Sequence, residues 1–102
     1  MYKEVIPPEI FLKLVCRLLI KKIDKIIATI EDSTQESNVT RQYLSIEIMA
    51  AIERLMVMID YSSEGAEGIS NVLNSVGSLI TKGQLTNDIE HYNKAIAILT
   101  IS

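Results

Sequence analysis

The chain has 102 residues, of which 48% are hydrophobic and 23% are charged, with a formal net charge of −3 and a single cysteine. This length favours one domain over residues 1–102 with a substantial core, and the composition excludes disorder of the whole chain. The acidic balance gives no general attraction for nucleic acid, and one cysteine excludes an intrachain disulfide, which is typical of a protein from the reducing cytosol.

The first predicted helix spans residues 8–31, because Pro8 suits the first turn of a helix, where its missing N–H would be unpaired. Steps of four and three residues separate its core positions, which is the spacing of a helix that packs nearly parallel to its neighbours. These positions are Leu12, Cys16, Leu19, Ile23, Ile26 and Ile30. Lys13, Arg17 and Lys21 step by four along another face, which we expect to be exposed.

The same helix contains the longest apolar stretch of the chain, from Ile10 to Ile20, interrupted by Lys13 and Arg17. A bilayer span needs about 20 apolar residues, so this stretch is too short and too charged to cross a membrane. No small-residue cleavage site follows it. We therefore expect no signal peptide, a cytoplasmic protein and no stable membrane insertion.

A polar, aperiodic segment from Glu31 to Arg41 predicts a loop before the second helix, which is predicted over residues 40–60. Asn38 or Thr40 can cap that helix. Its core positions are Leu44, Ile48, Ile52, Leu55 and Ile59. A second apolar line on another face consists of Ile46, Met49 and Met56.

The third helix is predicted over residues 63–82, capped by Ser62 or Ser63 and followed by Gly83 in a left-handed conformation. Gly77 in its interior is unfavourable by up to about 1 kcal/mol relative to Ala, so we expect close packing there. Its apolar residues keep the helical spacing and are Ile69, Val72, Leu73, Val76, Leu79 and Ile80.

The fourth helix is predicted over residues 87–100, with Asn87 and Glu90 as a capping box. Its apolar positions are Ile89, Tyr92, Ile96 and Leu99. Four helical segments with the same period and no alternating strand pattern predict an all-α domain.

No constellation of residues predicts an enzyme. His91 is the only histidine, and no second His or Cys lies within helical reach of it to form a metal site. Cys16 is interpreted as a small buried hydrophobic residue. Glu64 and Glu67 share a helical face, but their position near a helix N-terminus favours an interaction with the helix dipole over acid–base catalysis. We expect no catalytic residue, no metal and no cofactor.

The remaining signal is surplus apolar surface on the first two helices, because a monomer seldom leaves a large apolar patch exposed. Three interpretations stay open: a homodimer, a thick core, or a groove for an amphipathic helix of a partner. Methionine suits adaptable grooves, and three of the four methionines lie in the second helix. The basic cluster of Arg17, Lys21, Lys22 and Lys25 is either a solvated face or a partner-binding patch.

Two segments near the C-terminus carry a family resemblance: Gly65–Leu73, which reads Gly-Ala-Glu-Gly-Ile-Ser-Asn-Val-Leu, and Leu85–Ile89, which reads Leu-Thr-Asn-Asp-Ile. Together with Pro8-Glu9 at the start and the apolar spacing of the last helix, they resemble the family of flagellin-specific export chaperones (FliS). Cys16-Arg17-Leu18 departs from the Tyr-Asp-Gly that is usual in the family.

The resemblance implies an antiparallel four-helix bundle without catalysis. It implies a flagellar secretion chaperone that binds the disordered C-terminal segment of flagellin in the cytosol, prevents premature polymerisation and assists type III export. An export-apparatus component is a further expected partner. The alternative is a homodimeric helical structural or adaptor protein that binds another flagellar or unrelated partner. The expected partner-binding residues are Met49, Ile52, Met56, Ile59, Leu73 and Leu79.

Overall fold

The computed structural model describes residues 8–32, 34–59, 62 and 65–101. Within these residues the chain forms four α-helices: α1 (Pro8–Glu31), α2 (Gln35–Met58), α3 (Ala66–Thr86) and α4 (Ile89–Ile101). α1 and α3 each pack against both α2 and α4. In the described part of the chain, α1 therefore lies diagonally opposite α3, and short connections make successive helices antiparallel. The prediction of an all-α four-helix bundle is confirmed.

The core runs along the axis of the bundle and is built from the predicted helical spacing. In α1 the buried residues repeat in steps of three and four, which keeps one face of the helix directed inward. The buried apolar residues of the four helices are Cys16, Leu19, Ile23, Ile26, Ile48, Ile52, Ala66, Leu73, Val76, Ile80, Tyr92, Ala95 and Leu99. The 3–4 pattern therefore identified the inward face of each helix.

The connection between α1 and α2 is shorter than predicted, because α2 begins at Gln35 and not near residue 40. Thr34 is the N-cap: its Oγ1 accepts a hydrogen bond from the Ser37 backbone N–H at 3.2 Å. The Ser37 hydroxyl in turn donates to Asp32 at 2.9 Å. Asn38 and Thr40 lie inside the helix, so the prediction that one of them is the cap was wrong. Exposed polar residues there made the first turns of α2 look like a loop.

The start of α3 also differs from prediction. Gly65 is the N-cap with a φ of 86°, and no side chain accepts the cap hydrogen bond. This left-handed conformation favours glycine, which has no Cβ to clash with the following carbonyl. Ser62 lies in a turn before the helix, and the other predicted cap, Ser63, lies outside the described residues.

The end of α3 corrects the role of Gly83. α3 continues to Thr86, and Asn87 takes the left-handed conformation with a φ of 55°, donating its N–H to the Gly83 carbonyl at 2.8 Å. Asn is among the non-glycine residues that best tolerate this conformation. Asp88, not Asn87, caps α4, because its Oδ1 accepts the Glu90 N–H at 3.0 Å. Gly83 is therefore an interior helical residue, and its role lies in packing.

Candidate functional site

A groove of about 550 Å³ lies between α2 and α3. We call it the α2–α3 groove, and its lining residues are Met49, Ile52, Glu53, Met56, Val57, Leu73, Asn74, Gly77, Ser78 and Thr81.

The two walls of the groove differ in chemistry. The α2 wall is mainly apolar and includes Met49 and Met56, whereas the α3 wall carries the uncharged polar residues Asn74, Ser78 and Thr81. The floor is formed by buried Ile52 and Leu73, with Gly77 between the walls. An apolar wall opposite a hydrogen-bonding wall matches the two faces of an amphipathic helix.

Gly77 widens the floor of the groove. A Cβ at this position would lie 3.6 Å from Cε of Met49 and 3.8 Å from Cδ1 of Ile52, which are ordinary contact distances. The close packing that we expected around Gly77 is therefore absent. The missing side chain instead leaves room next to the flexible Met49 thioether.

A second depression of about 260 Å³ extends the groove toward the start of α2. It shares Met49 and Glu53 with the main groove and adds Ser45, Ile46 and Gln84, among others. From Ser45 to Val57 the apolar wall spans about 18 Å at 1.5 Å per residue. This length accommodates roughly three turns of a bound helix.

Glu53 is the one charged side chain among the described residues that line the two depressions. It belongs to the α2 wall, and the α3 wall opposite carries uncharged polar residues. A cation on a bound segment would therefore meet an attractive charge in the middle of the groove, and an anion would meet a repulsive one.

The groove brings together four of the six predicted partner-binding residues, namely Met49, Ile52, Met56 and Leu73. Ile59 and Leu79 are not among its lining residues and pack, partly buried, against the core. Leu79 follows Gly77 by two residues, which turns it by about 200° around α3 and away from α2. The helical period predicted correctly that Leu79 packs against the core, but it did not predict which neighbouring helix Leu79 faces.

Sequence reasoning missed the polar wall of α3. Asn74, Ser78 and Thr81 are unremarkable surface residues in the sequence, and only the packing of α3 against α2 gives them a shared position. One signal was present: Gly77 in a helix interior marks a place where a side chain is absent for a reason.

Tyr92 of α4 crosses the bundle toward α2, where Arg41 and Ser45 lie near its hydroxyl. Its ring lies on Gly83, where a Cβ would come within 2.6 Å of Tyr92 Cζ. Burial raises the pKa of the Tyr92 phenol, an effect that Arg41 and the Ser45 hydroxyl, both on α2, partly oppose. The Ser45 and Tyr92 hydroxyls are close enough to interact electrostatically, yet neither has a partner with hydrogen-bond geometry among the described residues.

The described residues contain no group of three or more His, Cys, Asp or Glu side chains placed to hold a metal ion. Cys16 is a free, buried cysteine, and burial raises the pKa of its thiol. The neutral thiol, which is a poor nucleophile, therefore dominates at neutral pH. No helix in the described part of the chain is long and apolar enough to span a bilayer.

Comparison with known proteins returned no relative: no protein-family model, no curated protein and no solved structure matches this chain. The geometry of the α2–α3 groove and the sequence resemblance are the observations from which its function is argued.

Proposed function

We propose that this protein is a secretion chaperone that holds an amphipathic helical segment of an exported protein in the α2–α3 groove. The observation that carries the proposal is the pairing of an apolar α2 wall with a polar, uncharged α3 wall. The sequence resemblance supplies the client, which is the disordered C-terminal segment of flagellin. The groove supports binding of a helix, and the resemblance supports the identity of that helix.

The physical basis of binding would be apolar burial that exceeds the cost of ordering the client. Val57 is 85% exposed and Ile46 is 64% exposed, so a bound helix would remove substantial apolar surface from water. Folding of a disordered segment opposes this gain by about 2–5 kcal/mol. A client that is held in this way can be released intact, because no covalent step is involved.

Chaperone action follows from which part of the client is covered. An amphipathic segment that would otherwise pack against other subunits has its apolar face buried against Met49 and Met56. The client therefore cannot use that face for assembly in the cytosol. It stays largely unfolded elsewhere, which suits passage through a narrow export channel.

A homodimer is the second candidate, and one observation favours it. Val39, Tyr43 and Ile46 follow one another at steps of four and three along α2 and are each more than half exposed. Such a stripe could pack against the same stripe of a second copy across a two-fold axis. Light scattering that gives the mass of a monomer at micromolar concentration would exclude this candidate.

The test of the chaperone proposal is calorimetric titration with a peptide that covers the C-terminal segment of flagellin. We expect one-to-one binding with a large negative heat-capacity change, because apolar surface is buried. Met49→Gln, in the groove, should weaken binding about tenfold or more, since it places an amide against the apolar face of the client.

Met58→Gln is the matched control, because Met58 lies on the same helix, is 68% exposed and does not line the groove. It should leave the affinity unchanged. Equal weakening by both substitutions would remove the groove from the proposal. A dissociation constant above about 100 µM for the wild-type protein would remove flagellin as the client.

A further inference from the structure

The positive charge of the chain is concentrated on α1. The segment from Lys13 to Lys25 holds five of the ten Lys and Arg residues and one acidic residue, Asp24, so its net charge is +4. The rest of the chain, with five cations and twelve carboxylates, carries a net charge of −7. A protein that is acidic overall thus has one strongly basic helix.

Four of these cations share a face with exposed apolar residues. Lys13, Arg17, Lys21 and Lys25 step by four and are all exposed, while Lys22 lies on another face and pairs with Glu47 of α2 at 2.6 Å. A second line, also in steps of four, consists of Ile10, Leu14 and Leu18, which are 51–53% exposed.

At about 100° per residue, all seven side chains fall within one sector of about 140°. The same sector contains exposed Asp24, so its four cations and one carboxylate give it a net charge of +3. We call this surface the outer face of α1; it is made of Ile10, Lys13, Leu14, Arg17, Leu18, Lys21 and Lys25. The apolar residues occupy its N-terminal part, and the cations run along its whole length.

We propose that the outer face of α1 binds the surface of an anionic lipid bilayer, reversibly and without insertion of a helix across it. Each Lys or Arg near an anionic surface is attracted to the lipid headgroups. Aliphatic side chains that project beside the cations can enter the boundary between headgroups and acyl chains, as they do in interfacial helices.

The shape of the face favours a bilayer over a protein partner. Residues 10–25 of a helix cover a strip about 22 Å long and about 10 Å wide. The strip is convex, because it is the outward surface of a single helix. A fluid bilayer needs no matched concave surface, and both depressions described above lie between α2 and α3, away from α1.

Charge also decides against a second copy of this chain on the same face. A two-fold interface would bring two clusters of four cations together, and like charges oppose such contact. The acidic surface of the other helices does not prevent bilayer binding, since the bundle measures 28 Å and 19 Å across its shorter axes and the Debye length is about 8 Å at physiological salt.

The experiment is co-sedimentation of the full chain with vesicles of pure phosphatidylcholine and with vesicles in which about a third of the lipid is phosphatidylglycerol. Binding is expected only with the anionic vesicles and should weaken as salt is raised. Lys13→Gln/Arg17→Gln/Lys21→Gln should lower the vesicle partition coefficient about 100-fold, since each cation near the surface contributes about 1 kcal/mol.

Arg54→Gln/Lys82→Gln/Lys94→Gln is the matched control, because it removes the same number and types of charge from exposed positions on the other helices. It should bind anionic vesicles as the wild type does. Leu14→Gln should weaken binding several-fold more than Leu85→Gln, which changes an exposed Leu of α3. Thermal unfolding of each variant establishes that it is folded.

Equal losses in the two triple variants, or equal binding to neutral and anionic vesicles, would overturn the proposal. So would a lack of vesicle binding at low salt. If an acidic helical peptide then bound the wild type but not the α1 triple variant, the face would belong to an acidic protein partner instead. None of these outcomes depends on the α2–α3 groove, so the lipid and client proposals succeed or fail separately.

Discussion

α3 presents one glycine toward α4 and another toward α2, and the two glycines differ in how much space surrounds them. Toward α4, Gly83 lies under the ring of Tyr92 with no space for a Cβ. Toward α2, Gly77 faces Met49 and Ile52 at distances that an added methyl group could accept. One side of the helix is therefore packed to the limit, and the other is left open. A helix can thus combine a rigid attachment with a binding groove when its glycines lie on different faces.

The largest loss of stability should come from adding a methyl group to α3 on the side that faces α4. Gly83→Ala places a methyl group 2.6 Å from Tyr92 Cζ, so the ring or the helix must move. Overpacking of this kind costs about 1–3 kcal/mol, and a rigid buried ring favours the upper end of that range. The better helix propensity of Ala offsets up to about 1 kcal/mol of this cost, so the net change should be a loss of about 1–2 kcal/mol. Urea unfolding would measure the loss. A variant as stable as the wild type would mean that Tyr92 can leave Gly83 without penalty.

The buried Tyr92 hydroxyl should make the stability of the bundle sensitive to alkaline pH. Burial raises the phenol pKa above its ordinary value of 10.0, so above about pH 10 the unfolded state loses this proton more readily than the folded state. Stability should therefore fall as pH rises through that region. Tyr92→Phe should flatten the dependence, as followed by urea unfolding between pH 8 and about pH 11.

Tyr43→Phe is the control for this measurement, because Tyr43 is 67% exposed on α2. It should keep the slope of the wild type. Both variants retain Cys16, whose thiol pKa is also raised by burial and whose contribution has the same sign. An unchanged slope in Tyr92→Phe would show that another group controls alkaline unfolding.

The smallest change in stability should come from the side of α3 that faces α2, and it should be a gain. Gly77→Ala should stabilise the bundle by up to about 1 kcal/mol, because Ala is the better helix former and its methyl group meets only ordinary contacts. The same methyl group narrows the floor of the groove, so client affinity should fall modestly while stability rises. Thermal unfolding and peptide titration on one preparation would separate the two effects.

If Gly77→Ala were as destabilising as Gly83→Ala, the contrast between the two sides of α3 would be lost. If it stabilised the protein and left client binding intact, the client would not reach the floor of the groove.

The inward face of each helix could be predicted from sequence, because burial repeats with the helical period. Ile23 and Ile48 were placed correctly for this reason. The period does not say which neighbouring helix a residue faces, and so Leu79 was assigned to the groove although Gly77 is the residue that lines it. That distinction depends on the order of helices around the bundle axis.

Helix ends were harder to predict, because several residues can serve the same local role. Gly83 and Asn87 both suit a left-handed position. In the structure Asn87 takes it, whereas Gly83 stays within the helix and packs against the ring of Tyr92. Likewise, Thr34, Asn38 and Thr40 are all competent caps. The structure uses Thr34, whose hydroxyl meets the Ser37 N–H.

The packing of α1 against α4 has a consequence for the order of events during synthesis. α1 leaves the ribosome before α4, yet it needs α4 to complete its environment. Until α4 emerges, Leu19 and Ile23 lack the neighbours that α4 supplies, so part of the future core stays exposed in the nascent chain. Completion of the bundle therefore waits until α4 can pack against α1, and the incomplete bundle exposes apolar surface that favours aggregation.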